Sequence, residues 1–116
     1  MSEKEIEQKL AQLMDTIPEV EGLIAADLDG KVKVGQTLTE MDHGEIAKTC
    51  SKILEDSSSL AKSIKKGTIK TTTVEFENGY AVLVGSESLI LIALAGLDGR
   101  ASLGLLKRNL ISISKL

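Results

Sequence analysis

The sequence predicts an α+β fold, a three-layer α/β/α sandwich of element order α-β-β-α-β-β-β-α with a five-stranded, mainly antiparallel sheet. Three observations carry this expectation. Two segments, Val20 to Asp27 and Leu89 to Ala95, are apolar at nearly every position, which suits central strands covered on both faces. Three other stretches repeat apolar residues at helical spacing. The links between successive strands are short and rich in turn residues, so sequential strands run antiparallel. Helices on both faces of such a sheet make three layers.

The first helix opens at Ser2-x-x-Glu5, a capping box in which each side chain satisfies a free backbone N–H. Ile6, Leu10, Leu13 and Ile17 then form one apolar stripe, and Pro18 ends the helix. The strand from Val20 to Asp27 follows. Leu28-Asp29-Gly30 supplies a turn, with Gly30 free to take positive φ. Lys31-Val32-Lys33-Val34 alternates strictly, so it reads as a short, half-buried edge strand.

Asp42-x-x-Glu45 caps the next helix, which runs to about Lys66 and is some 36 Å long at about 1.5 Å per residue. Ile46, Cys50, Ile53, Ser57, Leu60 and Ile64 line one face, widened by Ala47, Leu54 and Ala61. Several of these are small, so a second helix can approach closely. Thr68 to Glu77 is Thr-rich and polar on both sides, as an edge strand is. Asn78-Gly79 signals a two-residue hairpin turn with positive φ at both positions. Tyr80 to Val84 returns, Ser86-Glu87-Ser88 turns again, and the apolar strand from Leu89 leads to a break at Asp98-Gly99. Leu103, Leu106, Leu110 and Ile113 mark the last helix.

With 116 residues, the expected organisation is a single domain spanning 1–116. The charge is mixed and the net value is -3, which disfavours nucleic acid, since phosphate neutralisation needs clustered Lys and Arg. Phe76 and Tyr80 are the only aromatics, too few for a base-stacking platform. The lone Cys50 permits no internal disulfide and fits a reducing compartment. The polar start of the chain is unlike a signal peptide, and the apolar run Leu89 to Leu97 is too short to span a bilayer. The expected location is the cytoplasm, without membrane insertion.

Catalytic chemistry finds little support. His43 is the only histidine and begins a helix, with no nucleophile beside it, so it reads as an exposed cap-region side chain. His43 and Cys50, seven apart, are too few for a metal site. Asp27 and Asp29 flank a turn and suit turn chemistry better than acid–base work. Gly30-Lys31-Val32 lacks the rest of a phosphate-binding loop, and Lys65-Lys66 reads as a solvated helix end. Arg100, before the last helix, is the better placed of the two arginines to act on a GTPase in trans, yet a structural or neutral surface role is the ordinary reading. The expectation is a protein that is not an enzyme and holds no cofactor and no metal.

Three stretches add a resemblance. Val20-x-Gly22-x-x-x-Ala26-x-x-x-Gly30 resembles the first strand and hairpin of the roadblock/dynein light chain family. Asn78-Gly79-Tyr80-Ala81-Val82-Leu83 is similar to its middle hairpin, and Leu103-Gly104-Leu105-Leu106-Lys107-Arg108-Asn109-Leu110 to its last helix. There Gly104, lacking a Cβ, is expected to let the helix press onto the sheet. The element order matches over nearly the whole chain, although the segment after the first hairpin is short and the acidic stretch before the last helix is reduced to Asp98.

The resemblance implies a profilin-like sandwich that forms a homodimer or heterodimer. The second strand of each protomer would pair with its twin, placing Val32 and Val34 at a shared edge. Ile46, Cys50, Ile53, Ser57 and Leu60 would lie at a helix pair. It also implies a non-catalytic partner of Ras-like small GTPases, regulating or scaffolding them. The alternatives are a small-ligand sensor of a related three-layer fold, or a motor or signalling adaptor that makes no GTPase contact.

Overall fold

The computed structural model describes residues 3–116. Ser2 of the expected capping box lies outside them. The elements are α1 (Glu3–Thr16), β1 (Val20–Ala26), β2 (Val32–Thr37), α2 (His43–Ser63), β3 (Thr72–Phe76), β4 (Gly79–Gly85), β5 (Ile90–Gly96), a 3-10 turn (Leu97–Ser102) and α3 (Leu103–Ser114). One five-stranded sheet has the order β2-β1-β5-β4-β3, and every neighbouring pair is antiparallel.

The two-residue period of a strand divides the core into two layers. Leu23, Ala25, Val82, Val84, Leu91 and Ala93 face α1 and α3, whose Leu10, Leu13, Leu106 and Leu110 cover them. Ile24, Ala26, Ala81, Leu83, Ile90 and Ile92 face the opposite way, toward α2. The strands that are apolar on both sides are thus the inner ones, as expected. Truncating a fully buried residue such as Leu106 or Leu110 to Ala would cost about 2–5 kcal/mol. No polar or charged residue is buried among the described residues.

Three local expectations meet a different geometry. The β3–β4 turn falls on Glu77-Asn78, because Phe76 already pairs with Gly79, and neither turn residue takes positive φ. Glycine at 79 serves close approach instead: a Cβ there would collide with the carbonyl oxygen of Ala95. Gly104 is exposed and nothing lies within 4 Å of where its Cβ would be, so it does not bring α3 closer to the sheet. The third difference is the end of α2. The helix stops at Ser63 in a Schellman turn, in which Lys66 N–H donates to Ala61 (3.0 Å) and Lys65 N–H to Lys62 (3.1 Å). Lys65 occupies the left-handed position at φ 57°, where glycine is usual.

Candidate protein-interaction surface

Several groups with chemical potential are held in structural roles. Asp27 accepts the N–H of Lys31 (2.9 Å) and of Asp29 (3.0 Å), which closes the β1–β2 turn around Gly30 at φ 89°. The Lys31 N–H bond, against slight desolvation and helped by the Asp29 N–H, Lys33 and Lys31, holds the carboxyl below the ordinary range. Burial pushes the Cys50 thiol up to about 11, so at neutral pH it is not a thiolate nucleophile. Among the described residues no cluster of His, Cys, Asp and Glu could hold a metal ion, and no helix is long and apolar enough to cross a membrane.

His43 begins α2 but is half-buried rather than exposed. Its ring lies so close over Gly35 of β2 that a Cβ there would meet Nδ1, and its Nε2 is 3.0 Å from Thr37 Oγ1. That hydroxyl already donates its one hydrogen to the carbonyl of Thr39 (2.7 Å), so His43 Nε2–H must be the donor to it. The histidine fastens the start of α2 to the end of β2. Arg100 sits exposed in the 3-10 turn.

The surface that stands out is apolar. Although α2 has 21 residues, it buries only Ala47, Cys50 and Leu54, a smaller set than its stripe offers. Ile46 and Ile53 are half-buried against the same core layer, and Leu60 and Ile64 are left 61 % and 55 % exposed. Between this flank of α2 and the outer strands runs a groove of about 270 Å³, lined by Ile46, Cys50, Ile53, Val74, Phe76 and Leu94. It continues past Ser57 and Leu60 along Thr71 and Thr72. Phe76, one of the two aromatics, is 54 % exposed on it.

Val74 and Phe76 were not singled out by sequence reasoning. The alternation Thr72-x-Val74-x-Phe76 was the available signal; it makes β3 half-apolar on the α2 side rather than polar on both sides. Of the residues expected to share an interface, Ile46, Cys50 and Ile53 line the groove, and Ser57 and Leu60 line its continuation. Val32 and Val34 are elsewhere, on β2 at the opposite edge of the sheet. Val34 packs on the α1–α3 layer and Val32 on the α2 layer. α2 itself packs against β2, through Val32 and through His43 over Gly35, and the outer flank of its stripe faces β3 across the groove.

An unpaired strand edge thus lies beside an exposed apolar groove on an α+β sandwich. The chain belongs to the Roadblock/LC7 domain family, whose pattern matches residues 6–95. No curated protein matches it. Among solved structures it is similar to a Roadblock/LC7 domain from Streptomyces avermitilis (TM-score 0.82, 18 % identity, covering 94 % of this chain and 91 % of that one). It is also similar to Myxococcus xanthus MglB (TM-score 0.80, 16 %, covering 96 % and 89 %). A gliding protein MglB from Thermus thermophilus is similar too (TM-score 0.72, 13 %, covering 95 % and 91 %). At these identities the likeness is one of fold.

Proposed function

We propose that the chain is a self-associating, non-catalytic domain that binds a Ras-like small GTPase in the cytoplasm and regulates or scaffolds it. The observation that carries self-association is the apolar α2–β3 groove lying beside an unpaired strand edge. Two copies related by a two-fold axis would join β3 to β3 and lay the α2 helices side by side, covering Ile53, Leu60 and Phe76. Because Phe76 and Gly79 close a two-residue turn, ladder alternation turns the N–H groups of Thr73 and Glu75 outward, free to bond a second copy.

Charge supports the antiparallel sense. Lys70 precedes β3 and Glu75 and Glu77 lie at its end; Asp42 and Glu45 begin α2, and Lys62, Lys65 and Lys66 end it. An antiparallel pair sets each basic end against an acidic one, whereas a parallel pair would stack like charges. Val32 and Val34 then remain at the outer edges. Membership of the Roadblock/LC7 family and likeness to MglB structures support the GTPase half of the proposal. In this reading the groups that act on nucleotide belong to the GTPase, and the lone thiol of Cys50 suits a reducing compartment.

The test is solution mass by light scattering across a concentration series. Binding and nucleotide hydrolysis would then be measured with each purified small GTPase of the same organism, loaded with GTP or GDP. A dimer that engages one nucleotide form supports the proposal. A monomer at every concentration overturns self-association, and a dimer indifferent to all GTPases overturns the GTPase assignment.

A further inference from the structure

The strand ends at one pole of the sheet form a second surface, separate from the α2–β3 groove. There β2 finishes at Thr37, β1 begins at Val20 and β5 finishes at Gly96. Leu38, just past β2, is 67 % exposed; Leu97, just past β5, is 54 % exposed; Met41 in the β2–α2 loop is exposed as well. Leu38 and Leu97 flank the start of β1, about two strand spacings or roughly 10 Å apart. Exposed side chains of this size on strand ends either side of β1 invite an apolar contact.

The platform is fixed in place. Leu38 N–H donates to the carbonyl of Glu21 (2.8 Å), and Gly96 N–H to that of Glu19 (3.3 Å). The loop from Thr37 to Asp42 is pinned at both ends, by the His43–Thr37–Thr39 chain of hydrogen bonds and by Asp42, which caps α2 through the Glu45 N–H (3.0 Å). A surface already ordered loses little freedom on binding.

The charge around it has one dominant sign. Glu19, Glu21, Glu40 and Asp98 lie in the same segments as the three apolar side chains, with Arg100 the single base there. Glu21 Oε2 and Asp98 Oδ1 approach within 2.8 and 3.0 Å of the point where a Cβ on Gly96 would lie, so the two carboxylates are at most about 6 Å apart. Their mutual repulsion is relieved by a cation between them. The chain's other basic clusters, Lys31 and Lys33 at the start of β2 and Lys62, Lys65 and Lys66 at the end of α2, are at the far pole.

We infer that this pole is a docking surface for a partner-protein segment that carries lysine or arginine next to leucine-type side chains. The apolar part would sit on Leu38, Met41 and Leu97, and a basic side chain would bridge Glu21 and Asp98. The surface does not depend on self-association, because it uses the ends of β1, β2 and β5 and leaves α2 and β3 untouched.

The test uses the full chain, isotope-labelled, and a synthetic amphipathic peptide of leucine and lysine, with a leucine–glutamate peptide as control. The expected result is amide shifts concentrated at residues 37–42 and 96–100, and affinity that falls about tenfold or more between 50 and 300 mM salt. Leu38→Ser with Leu97→Ser, and separately Glu21→Gln with Asp98→Asn, should each weaken the lysine peptide about fivefold or more. Melting temperature and solution mass should stay unchanged. Shifts centred on other residues, equal binding of the glutamate peptide, or indifference to both variants would overturn the inference. So would a mass above the dimer at low salt that L38S abolishes, since that assigns the pole to another copy of the chain.

Discussion

The two edges of the sheet are built to different standards. Strand β2 is flanked by α1 on one face and α2 on the other, whereas the one substantial neighbour of β3 is β4. Lys31 and Lys33 line the approach to β2 and its first residues, a usual guard against unwanted strand pairing. No lysine lies within β3, which instead shows Phe76 to solvent. The turns leading in differ in the same direction. The turn into β2 has Asp27 accepting two amides and glycine at its positive φ, whereas the turn leaving α2 toward β3 forces Lys65 into the left-handed region. One edge is finished within the chain; the other is left without lysine or a covering helix and shows Phe76.

Substitutions can break this contrast, beginning with the largest expected effect. Ile53→Asp puts a charge in the middle of the α2–β3 groove. Its side chain is only half-buried in the single chain, so the fold should survive while self-association loses about 3 kcal/mol or more, on the order of a hundredfold. Light scattering beside circular dichroism separates the two effects; a folded dimer at micromolar concentration would argue that the groove faces solvent.

Proline compares the edges directly. Thr73→Pro removes an outward N–H from β3 and is expected to weaken the dimer about tenfold with the fold intact, while Val34→Pro on β2 removes an inward ladder bond to Ala25 and is expected to lower Tm instead. The reverse outcome would move the interface to Val32 and Val34.

Smaller effects sharpen the comparison of the turns. Lys65→Gly relieves the left-handed strain and should raise stability by about 1 kcal/mol, a rise in Tm of roughly 4 °C. Gly104→Ala, in open space on a helix, should add about 0.5–1 kcal/mol. Asp27 bears on the finished side. Its carboxyl is held below the ordinary range by the Lys31 N–H, so its contribution is full above the unfolded-state pKa and is lost as pH falls through the folded value. Thermal melts of wild type and Asp27→Asn should therefore differ at neutral pH and converge below about pH 4; a gap that persists in acid would point to a cause other than the charge.

Much of this architecture is legible in the chain because it follows from period. Strands β1 and β5 are apolar on both faces and had to be internal; the stripes of α1 and α3 had to face a core. Strand order is another matter. Both β2 and β3 read as edges, and no local pattern says which one α2 will leave open. That depends on how α2 crosses the sheet, which is set by close packing: Gly35 beneath His43, and Gly30 against the backbone of Ala47 and Lys48. For the same reason Ile46, Cys50 and Ile53 were recognisable as a candidate surface while Val74 and Phe76 were not. Gly104 illustrates the opposite error, since a glycine at a familiar place in a helix turned out to have no neighbour to accommodate.

The burial of the chain's one thiol has a practical side. Cys50 sits on the sheet-facing side of α2, and with its thiol pushed up to about 11 it is nearly inert in the closed state. Its alkylation at neutral pH thus counts the moments when α2 lifts from the sheet, giving an intrinsic clock for local opening without any engineered label. If two α2 helices shield one another, that clock runs slower as protein concentration rises.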